Sequence, residues 1–310
     1  MPNTCLRFAL IPALIGAAAA SPRAAAHSVT QRPDSAVVVL LGTGMPVPNP
    51  DAAGPATAVV YGSRVFLFDA GPAVMRQLRA ANLPIRGPTA LFVTHLHSDH
   101  TVGLPDLIFT SWVMGRTTAL RAYGPPGLAK MIDALATAYS EDIAVRSHGL
   151  EGLPANGWRV DPHETTGGIT YDSGGVRVTA FKVLHGSWPV ALAYRIDTPN
   201  RSIVISGDTR PSDELVAMSQ GVDVLVHEVY PESIYVRNRG NKLGDTTNDY
   251  FRSFHTSDVQ LGKLAARAQP KLLILSHIVR MGATDEALLA GVRAGGFTGR
   301  AVVGKDLARY

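Results

Sequence analysis

Short apolar runs closed by glycine or polar residues punctuate the chain, and helical spacing of apolar positions appears between them. Residues 37–41 are wholly apolar and predict a strand, after which Gly42-Thr43-Gly44 turns the chain. Residues 57–61 and 64–68 predict a hairpin about Gly62-Ser63, followed by Asp69 and a helix over 73–81. The apolar stretch 91–93 runs into Thr94-His95-Leu96-His97-Ser98-Asp99-His100. Helices are predicted over 106–113 and 128–139, the second with apolar residues three and four apart. Residues 144–171 are rich in glycine and proline and give no clear period. Strands resume over 176–181, 190–196, 202–205 and 222–227. A helix over 257–268 has Thr256 or Ser257 as its N-cap, and a strand over 271–275 follows. Thr284 opens a last helix with Asp285 and Glu286 beside its free backbone N–H groups, Gly295 stops it, and 301–303 closes the set.

Two runs of strands, each flanked by helices, fit an α/β fold of four layers, an αββα sandwich. Composition changes the picture mainly at the start of the chain. Arg7, an apolar stretch over 8–20 and small residues through Ala26 predict a secretory signal peptide over 1–26 and a single domain over 27–310. The apolar stretch is shorter than the roughly 20 residues a bilayer span needs, so release is expected, with no membrane span left and a periplasmic or secreted location. Cleavage removes Cys5, the only cysteine, and with it any thiol ligand, disulfide or cysteine nucleophile. The net charge of +4 falls to +2 without Arg7 and Arg23. Bulk charge therefore gives no nucleic-acid footprint, and Arg237, Arg239 and Lys242 are expected to form a solvated basic loop or, alternatively, a local nucleic-acid patch.

The chemistry lies where strands end. Three imidazoles and a carboxylate within 95–100 directly follow an apolar run, and alternate side chains leaving a strand can converge on a metal. Burying so many unpaired polar groups would otherwise be costly. Three more residues repeat the placement: His185 after 179–184, Asp208 after 203–205 and Ser206-Gly207, and His277 after 272–276. Together they make seven candidate ligands, the number two neighbouring zinc ions would use.

These residues resemble the metallo-β-lactamase-fold superfamily, whose hallmark is His-x-His-x-Asp-His with a later His, Asp and His. Within it the chain looks most like the branch of ribonuclease Z and the secreted zinc arylsulfatases. The similarity runs from Val37 almost to the C-terminus, through Leu41-Gly42-Thr43-Gly44, Leu67-Phe68-Asp69, Gly103-Leu104-Pro105, Gly207-Asp208-Thr209, His227-Glu228 and Leu275-Ser276-His277. The resemblance implies a hydrolase domain over 27–310 with two zinc ions per chain and no organic cofactor. One zinc would sit on His95, His97 and His185, the other on Asp99, His100 and His277, with Asp208 bridging. It also implies catalytic roles for Asp99, which can orient a metal-bound hydroxide, and for His255 and Glu228, which assist the leaving group. His227 would support the ligands from behind, and a homodimer is implied by relatives of the branch.

Three departures from the ribonuclease pattern point to a small substrate. A signal peptide separates the chain from precursor transfer RNA. No long basic Gly-Pro-rich arm lies between Tyr123 and His185, and Gly44-Met45-Pro46-Val47-Pro48 does not continue into the Arg-Asn usual there. The expected function is thus a secreted dinuclear zinc hydrolase of small anionic esters, aryl sulfate ahead of phosphodiester, with no nucleic-acid partner. Trp112, Trp188, Tyr230 and Tyr235 are candidate walls for an aryl group or, alternatively, core residues. The alternatives are a ribonuclease Z-like phosphodiesterase, a β-lactamase or lactonase, and a zinc-binding protein without turnover.

Overall fold

Strand β1 (Val37–Gly42) is buried along its whole length, yet its side chains enter two different cores. A computed structural model describes residues 35–232 and 247–310; the predicted leader, Tyr235 and the basic loop of Arg237, Arg239 and Lys242 lie outside the described residues. Val38 and Leu40 pack with side chains of a second sheet, whereas Val37, Val39 and Leu41 pack against helices. Strand side chains alternate between faces, so a wholly apolar strand requires cover on both sides.

The first sheet has six strands in chain order: β1, β2 (Ala56–Tyr61), β3 (Arg64–Phe68), β4 (Ala90–Phe92), β5 (Leu120–Gly124) and β6 (Val160–Glu164). The second has seven: β7 (Gly168–Ser173), β8 (Val176–Val183), β9 (Ala191–Thr198), β10 (Arg201–Ile205), β11 (Val224–Val229), β12 (Leu272–Ile278) and β13 (Arg300–Val303). Each sheet begins with antiparallel pairs and turns parallel, at β3/β4 in the first and β10/β11 in the second. Between the sheets lies an aromatic core of Phe66, Phe68, Phe92, Tyr171 and Tyr194. Helices α1 (Val74–Ala80) and α4 (Leu128–Ala138) cover the outer face of the first sheet. Helices α6 (Asp213–Met218), α8 (Asp258–Ala268) and α9 (Asp285–Ala294) cover that of the second. The expected αββα sandwich is the fold.

The predicted caps are in place. Ser257 closes a capping box with Gln260, Thr284 accepts from the Ala287 N–H, and Gly295 ends α9. The segment 144–171, which gave no period, contains part of α5 (Ser140–His148) together with β6 and the start of β7. Both strands are sheet edges with mostly exposed side chains, and Pro162 sits in β6, where an edge tolerates a missing N–H. An edge strand with little burial leaves no hydrophobic alternation to read. The predicted helix over 106–113 is a π-helical turn, Asp106–Thr110, running into α3 (Ser111–Val113). Among the described residues no helix is long and apolar enough to cross a membrane.

Candidate metal centre

The candidate ligands leave strand ends from both sheets at the same rim of the sandwich. Beyond β4 the chain delivers His95 and His97, then turns into the short helix α2 (Ser98–Thr101), which carries Asp99 and His100. His185 follows β8 and Asp208 follows β10, while His277 lies near the end of β12. Ligand atoms of His95, His97, His185 and Asp208 gather within 4.8 Å of one another, as do those of Asp99, His100 and His277. All seven predicted ligands therefore meet. Asp208 joins the clusters: its oxygens lie 3.3 Å from His100 Nε2 and 3.2 Å from His277 Nε2, and 3.9 Å from both His95 Nε2 and His185 Nε2.

Hydrogen bonds on the far side of the imidazoles fix which nitrogen faces inward. His185 Nδ1–H donates to the Phe254 carbonyl at 2.7 Å, so Nε2 carries a bare lone pair. Asp69 performs this service for both clusters. Its carboxylate accepts from His100 Nδ1–H at 2.8 Å and from the Thr94 hydroxyl at 2.9 Å, and the Thr94 oxygen in turn receives His95 Nδ1–H at 3.0 Å. The Thr94 backbone N–H donates to Asp69 as well. Asp69 was visible in sequence only as part of a motif; the available signal was its position directly after a strand, which it shares with the ligands. Asp69 and His277 both adopt positive φ, 61° and 42°, a left-handed backbone uncommon for residues other than glycine.

Metal fits this donor set. His97 Nδ1 is 2.9 Å from His95 Nε2 and 3.1 Å from His185 Nε2. A tetrahedral zinc with bonds of roughly 2.0–2.1 Å would separate neighbouring nitrogens by about 3.3 Å, a few tenths wider. Asp99 Oδ2, His100 Nε2, Asp208 Oδ1 and both ring nitrogens of His277 are buried without hydrogen-bond partners among the described residues. Lone pairs turned toward lone pairs at that depth call for a cation. Burial opposes charge on His277, but Asp208 and Asp99 raise its pKa to about 10. Burial likewise opposes charge on Asp208, yet His277 and His100 hold its carboxyl well below the usual range. Protons and metal cations thus compete for the same donors. Trp188 Nε1–H donates to His97 Nε2 at 2.8 Å, which puts the His97 proton on Nδ1, and a cation at Nδ1 has to displace it.

His255 stands at the edge of the two clusters, with Nδ1 3.9 Å from Asp208 Oδ2. Its Nδ1–H meets the Glu228 carboxylate at 3.1 and 3.2 Å, and Glu228 also accepts the Thr209 N–H at 3.0 Å. Burial disfavours the imidazolium, but Glu228 and Asp208 outweigh it and raise the His255 pKa. His227 contributes no ligand atom to either cluster: its Nδ1–H donates to the Glu228 carbonyl, and burial lowers its pKa to about 4. The candidate aromatic walls separate. Trp188 reaches the site, whereas Trp112 is fully buried in the helix-facing core with its N–H on the Pro154 carbonyl, and Tyr230 is buried beside Val279. An indole can fill a core and still satisfy its N–H on a nearby carbonyl, which is why sequence cannot tell wall from core.

Residues 64–278 match a beta-lactamase superfamily domain. Ribonuclease Z of Mycobacterium bovis (strain BCG / Pasteur 1173P2) is 34% identical over 278 residues, spanning 88% of this chain and 96% of the relative. The crystal structure of human tRNase Z, short form, superposes with a TM-score of 0.66 at 21% identity, covering 88% of this chain and 98% of that one. The metallo-beta-lactamase fold protein YhfI from Bacillus subtilis gives a TM-score of 0.67 at 19% identity over 89% and 98% of the two chains. The expectation of no nucleic-acid partner is overturned by this kinship, since the relatives that match most of the chain are ribonucleases by name. A small net charge summed over a chain says little about a groove, where a few local charges and a metal pair face the backbone of a nucleic acid. With matching sequence over most of both chains, the same sandwich and a seven-residue His/Asp centre at its rim, the protein belongs to the metallo-β-lactamase superfamily, among its ribonuclease Z-like metal-dependent hydrolases.

Proposed function

We propose that the protein is a dinuclear zinc phosphodiesterase acting on RNA. The observation that carries the proposal is the hydrogen-bonded pair His255–Glu228, set at the edge of two ligand clusters that share Asp208. His95, His97 and His185 would hold one zinc, Asp99, His100 and His277 the other, and Asp208 would bridge. Such a pair supplies Lewis acidity toward a phosphoryl oxygen and lowers the pKa of water. The chain itself supplies the proton at the leaving oxygen. Glu228 fixes His255 through Nδ1 and favours its charged form, leaving Nε2–H to be donated to the departing oxygen. Asp99, a member of the second cluster that also lines the pocket beside His255, would serve both as a ligand and as an acceptor that orients the attacking water.

Aryl sulfate, the substrate first expected from sequence, gains no support from the ribonuclease relatives, and the phosphodiester alternative takes its place. The test is release of chromophore from matched aryl phosphodiester and aryl sulfate by the zinc-loaded chain, beside cleavage of a short RNA and a chelator control. Chelator-sensitive turnover of the diester and the RNA is expected; faster turnover of the sulfate with no RNA cleavage would sink the proposal. Export is proposed separately, on the sequence of residues 1–26 alone. A mature N-terminus near residue 27 in the periplasm or medium would support export, and an intact N-terminus in the cytoplasm would refute it.

A further inference from the structure

A pocket of about 170 Å³ opens over the metal-centre residues, and its remaining wall is apolar: Met45, Pro46, Tyr250, Phe251 and Val279. Helix α7 (Thr247–Phe254) brings the two aromatic residues there. Neither lies in a motif that marks it in the sequence. Tyr250 is 44% exposed, and its ring lies stacked on Phe254, with centroids 4.4 Å apart and planes 20° from parallel. Phe251 stands edge-on to it at 5.5 Å. Phe254 is fixed in turn, because it packs on Gly186 where a Cβ would collide with its ring, and its carbonyl holds His185. The exposed tyrosine is therefore a rigid platform tied through one residue to a predicted metal ligand.

We propose that this pocket holds a single nucleobase next to the scissile phosphate, stacked on Tyr250. The proposal rests on the phosphodiester reading above. A space this small lies below the roughly 300 Å³ at which pockets begin to take drug-sized ligands, so it admits one ring system with its ester group. One end of it is lined by the metal-centre residues and would suit an anion once zinc is held there; the other is apolar and planar. Aromatic stacking accepts any base, since every base has a π-face, and a ring already held by Phe254 loses little freedom when a base lands on it.

The test compares adenosine 5′-monophosphate with ribose 5-phosphate by calorimetry on the zinc-loaded full chain, using the wild type, Tyr250→Phe and Tyr250→Leu. The base should tighten wild-type binding by about 5- to 100-fold. Tyr250→Phe should keep that advantage and Tyr250→Leu should lose most of it, with ribose 5-phosphate bound equally by all three. An advantage that persists in Tyr250→Leu, or is absent from the wild type, or no binding of either ligand, would overturn the subsite. Diester turnover measured on the same wild-type sample separates the two ideas. Turnover without a base advantage refutes the subsite and leaves the phosphodiesterase, whereas a Tyr250-dependent base advantage without turnover refutes the phosphodiesterase and leaves Tyr250 as a base-stacking site with no scissile phosphate beside it.

Discussion

Single side chains decide the chemistry, and two of them make separable predictions. Asp208 touches members of both clusters, so its removal takes away the shared anion and leaves two neighbouring cations to repel each other. Asp208→Ala should retain at most one zinc per chain after desalting, as measured by elemental analysis, and two tightly held zincs would contradict the bridging role. His255 stands outside both clusters and is held by Glu228. His255→Ala should therefore keep two zincs while diester turnover falls by about 10²- to 10⁴-fold, the range expected for loss of a general acid. Unchanged turnover would remove His255 from the mechanism, and lost zinc would make it a ligand. The histidines and aspartates of the centre were legible in the sequence because ligand type and position after an apolar run are local properties. Asp69 was not, because its role exists only through bonds to Thr94 and His100, 25 and 31 residues away.

At the scale of elements, the site depends on how strands stop. The turn after β10 passes Gly207 at φ +57°, and a Cβ there would lie 2.8 Å from Thr94 Cβ and 2.9 Å from the Leu192 carbonyl. Gly207→Ala should shift Asp208 against the β4 end and cost about 1–3 kcal/mol, from a strained backbone and a forced contact together. Denaturant unfolding with zinc content on the same sample checks this, and a fully stable variant with two zincs would show the turn to be tolerant. The sequence marked β1 and β12 correctly because burial on both faces makes them continuously apolar, whatever their place in the sheet. It did not mark β6 or β7, whose edge positions leave most side chains in solvent, nor α5, which buries none.

For the molecule as a whole, acid should loosen the fold through a group with no part in the chemistry proposed here. His227 is buried and neutral, its Nε2 has no hydrogen-bond partner among the described residues, and burial lowers its pKa to about 4. The unfolded chain takes up that proton near pH 6.5, so stability is unaffected above that value and falls as pH drops from about 6.5 to about 4, by about 3 kcal/mol. Below the folded pKa both states are protonated and the loss levels off. His227→Asn should show an acid loss smaller by that amount in denaturant melts at pH 7 and pH 4; equal losses would contradict it. By itself the sequence determined the αββα order of elements and the seven ligand-type residues, because periodicity and donor chemistry are written locally. The packing of the two sheets settled that the end of β4 and the helix α2 after it meet the ends of β8, β10 and β12 at one rim, that Trp112 is core while Trp188 touches His97, and that Tyr250 flanks the metal centre. Those relations join residues far apart in the chain, and they come from how two sheets pack, which no local pattern records.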